Sequence, residues 1–150
     1  MKLSDLLGED LIIMDLKSVD KQGVIEKLVD LLYHNGKITD RETYLRSVLD
    51  REKLGTTGIG KGIAIPHGKS DAAKEISVVL ARSLEGVNFD SLDGKPVSLI
   101  FMLTAPKDAN GMYLKALAKL SRLLRHKEFR DALLAAKSKR EIMSLISEEE

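Results

Sequence analysis

Apolar residues recur at helical spacing over residues 19–35: Val24, Ile25, Leu28, Leu31 and Leu32 form one stripe, and Gly36 stands where a helix would end. A second helix is predicted from Thr39 to about Leu54, because Thr39-Asp40-Arg41-Glu42 has capping-box form, in which Thr39 and Glu42 satisfy free backbone N–H groups. The period then changes. Five of the eleven glycines (Gly55, Gly58, Gly60, Gly62, Gly68) surround the short apolar run Ile63-Ala64-Ile65, which predicts strand pieces and tight turns. Residues 76–80 (ISVVL) read as a strand and Asp93-Gly94 as a turn; residues 97–103 (VSLIFML) read as a central strand buried on both faces. From Gly111 the helical pattern returns and runs to the end, where Ser138-Lys139-Arg140-Glu141 is a second capping box. Helices before and after doubly buried strands predict an α/β fold with helices on both faces of a sheet, three layers in all.

Composition narrows the class. The 150 residues suit one domain, 1–150, whose core buries roughly 68–70% of the extended-chain surface. The absence of cysteine removes disulfides, zinc–thiolate and iron–sulfur sites and a cysteine nucleophile, and fits a reducing compartment. No apolar run approaches the ~18 residues of a membrane span, and the acids of MKLSDLLGEDL stand where a signal peptide needs an apolar stretch. Aromatic residues are 4% of the chain, too few for a base-stacking module, so no nucleic-acid partner is expected. Net charge is +1, but unevenly spread: residues 51–69 carry +3 and 107–140 carry +7. Two positive zones in a nearly neutral chain suit an acidic partner or an anionic group.

Candidate chemistry concentrates in Arg51 to Ser70, REKLGTTGIGKGIAIPHGKS. Gly55 to Lys61 satisfies the G-x-x-x-x-G-K part of a nucleotide phosphate loop, but Gly62 replaces the magnesium-binding Ser/Thr, and a helix precedes where a strand should. The glycine spacing is also wrong for a dinucleotide fingerprint. Two readings of His67 remain: a satisfied histidine at a strand end, or a presented nucleophile. Pro66 fixes its own φ and restricts Ile65, which stiffens the lead-in, and Gly68 would leave space beside the ring. Neutral imidazole is a good nucleophile toward phosphorus, and its unperturbed pKa of ~6.5 leaves much of it neutral near pH 7. In-line phosphoryl transfer also needs donors for the equatorial oxygens. Arg51, Lys61, Lys69 and the backbone amides of the glycine turns are candidates, and the planar fork of arginine suits the task best.

Leu49-Asp50-Arg51-Glu52 followed by Thr57-Gly58-Ile59-Gly60-x-Gly62-Ile63-Ala64-Ile65-Pro66-His67-Gly68 resembles the signature of type-2 enzyme IIA components of the phosphoenolpyruvate-dependent sugar phosphotransferase system. The fructose, mannitol and nitrogen-regulatory branches share it. The resemblance covers nearly the whole chain and implies an α/β sandwich with a mixed sheet between helices. It implies a cytoplasmic phosphoryl carrier: His67 takes the group, through Nε2, from the phosphocarrier protein HPr and passes it to an enzyme IIB partner, usually on a cysteine. It places the family's arginine at Arg51; Thr57, Gly58, Gly60, Gly68 and Lys69 are expected around the phosphoryl group, the glycines permitting close backbone approach. No cofactor and no metal are implied, and a permease would offer peripheral rather than inserted contact with a membrane. A regulatory module whose partner choice depends on His67 phosphorylation is the alternative. One position departs from the pattern. Many members carry a His-Leu step after the Ala-Pro loop; here it reads Tyr113-Leu114. Tyr113 falls with Leu117, Leu120 and Leu124 on a helical wheel, so it should point inward as a site-lining residue or a core aromatic, with a hydroxyl to donate but no positive charge.

Other features read as surface. His34 sits at a helix end where a histidine favours the negative pole. His126 falls among Lys115, Lys119 and Arg122, a stripe expected to be a solvated helix face or else a docking surface for an acidic partner. Glu148-Glu149-Glu150 reads as a frayed, solvated end.

Overall fold

A computed structural model describes residues 2–17 and 20–150. It contains α1 (Leu3–Leu6), β1 (Ile12–Ile13), α2 (Lys21–His34), α3 (Arg41–Lys53), β2 (Gly58–Gly60), β3 (Ile63–Ala64), β4 (His67–Lys69), β5 (Ser77–Val87), β6 (Val97–Ala105), α4 (Asn110–Leu123), α5 (Lys127–Ala135) and α6 (Lys139–Glu149). The strands form one mixed sheet in the order β1-β5-β6-β3-β2, with β4 also paired to β6. β5 and β6 are antiparallel; β3 and β4 run parallel to β6 at successive positions along it.

Side-chain alternation on β5 and β6 sorts the core into two layers. Val78 and Phe101 meet Leu3, Leu7, Leu120, Leu124, Phe129 and Ile146, so that face carries α1, α4, α5 and α6. On the opposite face Thr104 is hydrogen-bonded to Tyr44 of α3 at 2.6 Å. The three-layer expectation holds, and the near-continuous apolar run of β6 follows from burial on both sides.

Local differences have local causes. Residue 19, the predicted start of the first helix, lies outside the described residues; Asp20 caps α2 by accepting from the Gly23 N–H at 2.7 Å. Gly36 adopts φ +70° just past the helix, as its place predicts. The second helix is capped by Asp40, not Thr39: Asp40 accepts from Thr43 N–H at 3.1 Å. Thr39 is held elsewhere, its N–H and hydroxyl both donating to the Ala72 carbonyl. β5 extends past Leu80 to Val87: the buried polar Arg82 and Ser83 break the apolar run, and the pairing with β6 shifts register between Arg82 and Val87. The terminal helical region divides into three helices; His126, exposed, is the residue before α5 and lies beyond the polar face of α4. Ser138 caps α6 as expected, but Glu141 accepts from the Lys137 N–H, one residue before the box position.

The acidic end is not frayed. The Glu150 carboxylate, 4% exposed, accepts from the backbone N–H groups of Leu3 and Ser4, the Ser4 hydroxyl and Lys119 Nζ at 3.0 Å. Burial alone would push that carboxyl up; these donors outweigh it and hold its pKa below the usual range. Lys119 of the predicted solvated stripe is therefore occupied.

Arg82 fastens α5 to the sheet. Its Nε donates to the Met14 carbonyl at 3.1 Å, and its Nη1 lies 3.0, 3.2 and 2.6 Å from the carbonyls of Leu133, Leu134 and Ala136. These carbonyls end a helix and have no partner within it. Arg82→Leu should therefore lower the free energy of unfolding by about 1–3 kcal/mol or more, measured by urea denaturation. A loss within ~0.5 kcal/mol would show that water replaces the guanidinium at no cost.

Candidate functional site

The pairing of β3 and β4 with β6 is interrupted at Ile65-Pro66, where proline supplies no N–H. The Ile65 N–H turns to the Thr57 carbonyl at 3.0 Å, and the Pro66 carbonyl accepts from Leu103 N–H at 3.0 Å. The Ile65 carbonyl is left to meet Nδ1 of His67 at 2.8 Å. A carbonyl only accepts, so Nδ1 carries the proton and Nε2 holds the free lone pair. The stiff lead-in read from the sequence thus also sets the tautomer.

Register decides what surrounds the ring. His67, Gly68 and Lys69 align with Leu103, Thr104 and Ala105. His67 and Lys69 therefore project toward α4 and Gly68 toward α3. The His67 and Tyr113 rings meet edge to face with centroids 5.9 Å apart. Lys69 Nζ lies 5.4 Å from the Tyr113 ring centroid and donates to Asn110 Oδ1. Tyr113 is buried, and burial pushes its hydroxyl up to about 12 against the opposing charge of Arg51. Leu114, its neighbour in sequence, is 62% exposed, which confirms which face of α4 turns inward.

Gly68 does not open space beside the imidazole. A Cβ there would lie 2.6 Å from Ser47 Oγ and 3.1 Å from Val48 Cγ2, so its absence lets β4 press against α3.

Arg51 occupies the last turn of α3, with Nη1 donating to the Gly55 carbonyl at 2.8 Å. Its charge acts on both rings. The His67 pKa lies below its ordinary value, chiefly through burial, with Arg51 adding to the depression; the Ile65 carbonyl and Glu52 oppose it. Neutral imidazole, the nucleophilic form, is thereby favoured at pH 7.

His67, Arg51, Lys69 and Tyr113 thus come together. Gly58, Gly60 and Lys61 meet the neighbouring segment: Cβ atoms on the two glycines would lie 2.8 Å from Ser91 Oγ and 3.3 Å from Asp93 Oδ2, and Lys61 N–H donates to Asp93. Thr57 is buried and gives its N–H and hydroxyl to Glu52. Glu52 and Asn110 escaped the sequence reading. Glu52 stood inside the quoted signature next to Arg51, whereas nothing local marked Asn110. Among the described residues no three His, Cys, Asp or Glu side chains converge as metal ligands, and no helix is long and apolar enough to cross a membrane.

A half-buried imidazole whose Nδ1 is held by a backbone carbonyl, within the field of Arg51 and on a mixed three-layer sandwich, is the candidate site. The family model for the phosphoenolpyruvate-dependent sugar phosphotransferase system, EIIA 2, matches residues 5–149, and the chain belongs to that family. It is 40% identical over 146 residues to the fructose-specific EIIA component of Haloferax volcanii, covering 97% of this chain and 95% of that one. It is also 40% identical to the fructose-specific EIIABC component of Bacillus subtilis, of which it spans only 23%. Among solved structures, the nitrogen regulatory protein IIA-Ntr of Neisseria meningitidis superposes with a TM-score of 0.85 at 34% identity, covering 95% of this chain and 97% of that one. The mannitol enzyme IIA of Escherichia coli, in complex with phosphorylated enzyme IIB, superposes at 0.82 with 25% identity over 95% of this chain and 99% of that one.

A depressed pKa in the folded state means that the unfolded chain binds the His67 proton first as pH falls. The contribution of His67 to stability is therefore present above ~6.5 and is lost as pH drops below that value toward its folded pKa. The ring should titrate by NMR with a midpoint below ~6.5; a midpoint at or above it would contradict the burial described here.

Proposed function

We propose that this chain carries a phosphoryl group on His67, taken from phosphorylated HPr and passed to an enzyme IIB partner. The observation that carries the reading is the 2.8 Å contact between Nδ1 and the Ile65 carbonyl, which leaves Nε2 as the one nucleophilic ring nitrogen. The Nε2 lone pair attacks phosphorus in line as the bond to the donor's ring nitrogen breaks, and that bonding pair leaves with the donor. Nδ1 keeps its proton, so the phosphorylated ring is cationic and the Ile65 carbonyl shares its charge. A protonated ring is also a good leaving group for the onward step to IIB, whose acceptor we take to be a cysteine thiolate. Arg51 and Lys69 face the phosphoryl oxygens, and the Tyr113 hydroxyl offers a further neutral donor. The group being moved is the substrate, so no cofactor enters.

Regulation is the second reading, favoured by the likeness to the nitrogen regulatory protein IIA-Ntr. The same chemistry would then set a phosphorylation state that a partner protein reads.

Incubation with phosphoenolpyruvate, enzyme I and HPr should add one phosphoryl group, and His67→Ala should abolish it. Histidine labelling that survives His67→Ala overturns the assignment. Arg51→Gln should slow transfer by roughly 10²–10³-fold, the scale for one electrostatic donor, whereas an unchanged rate removes Arg51 from the mechanism. Rapid discharge by an enzyme IIB supports transport; a persistent phosphorylated form that alone binds, or alone fails to bind, a partner supports regulation.

A further inference from the structure

Behind Arg51 lies a cluster that the transfer reaction does not use directly. Glu52, 7% exposed, pairs with Lys21 Nζ at 2.7 Å, from the first turn of α2. Lys21 also lies 5.0 Å from the Phe89 ring centroid and 3.8 Å from Asp90. Glu52 accepts twice from Thr57: from its N–H at 3.2 Å and from its hydroxyl. The Thr57 carbonyl accepts from Ile65 N–H at 3.0 Å, and the Ile65 carbonyl accepts from His67 Nδ1–H at 2.8 Å.

These contacts form a continuous chain from Lys21 through Glu52, Thr57 and Ile65 to the imidazole. We infer that Glu52, held by Lys21, is a positioning residue that fixes the His67 ring and its tautomer through Thr57 and Ile65. The inference rests on reading His67 as the phosphoryl acceptor. Burying an ion pair is costly and seldom improves on apolar packing for stability alone. Here the carboxylate has a geometric task that an apolar side chain lacks: two donors of one residue converge on it, and that residue holds the strand break from which His67 hangs. Arg51 shares the arrangement, because its anchor, the Gly55 carbonyl, lies in the turn between Glu52 and Thr57. One carboxylate therefore steadies both the nucleophile and its cationic partner.

The test compares Glu52→Ala with Lys21→Met/Glu52→Gln. The second variant removes both charges but keeps an amide able to accept from Thr57 N–H and donate to its hydroxyl. Ring ¹⁵N shifts, read above the titration of His67, report the tautomer without any phosphoryl donor. Glu52→Ala should convert a single Nδ1–H tautomer into a mixture and lower kcat for phosphoryl uptake from phosphorylated HPr by about 10–100-fold, with KM for that donor nearly unchanged. The neutral pair should restore both the tautomer and the rate to within about threefold of the parent, the spread usual for such measurements. An unchanged tautomer in folded Glu52→Ala overturns the inference, as does a neutral pair no better than Glu52→Ala. Should Glu52→Ala not fold, Lys21→Met/Glu52→Met removes both charges and the acceptor at similar volume; a single unaltered tautomer there is equally fatal. Failure of parent His67 to take label would instead remove the phosphoryl reading, and the ring shifts would still judge the relay.

Discussion

The site depends on one hydrogen bond, from Nδ1–H of His67 to the Ile65 carbonyl. That carbonyl is available because Ile65 turns its backbone groups away from β6: its N–H goes to the Thr57 carbonyl, and the Pro66 carbonyl accepts from Leu103 of β6. Pro66 stiffens this lead-in, and the Ile65 carbonyl before it holds Nδ1–H, which on the proposed reading leaves Nε2 to meet phosphorus.

Alternation along the sheet then distributes roles. Adjacent residues on β4 face opposite layers, so His67 and Lys69 share the α4 side with Tyr113, while Gly68 is spent on contact with α3. Arg51 reaches the same place from the end of α3, in the other layer. The proposed phosphoryl site thus lies where two layers meet at the rim of the sheet, and it draws on residues far apart in sequence without a long loop to gather them.

Much of this was legible in the residues. The central strand, the helix boundaries near His34 and Leu54, the break around Ile65-Pro66-His67 and the inward Tyr113 all follow from local periodicity and backbone chemistry. What escaped has a common character: it depends on a partner distant in the chain. Asp40 displaced Thr39 as a cap because the Ala72 carbonyl had claimed Thr39. Glu150 is ordered because the first helix supplies donors from the other end of the chain. Gly68 is small because α3 leaves no room, and Glu52 matters because Thr57 folds back onto it. Hydrophobic period speaks to which face of an element is buried and says nothing of which polar group waits across the gap.

The edge-on tyrosine has a consequence for protons. Two imidazoles in contact would share their charge, so that neither could be assigned a pKa of its own. With its phenol pushed up to about 12, Tyr113 stays neutral across the physiological range. His67 is then the one ring of the pair that changes charge as pH falls below its ordinary pKa, and no second ring shares its proton.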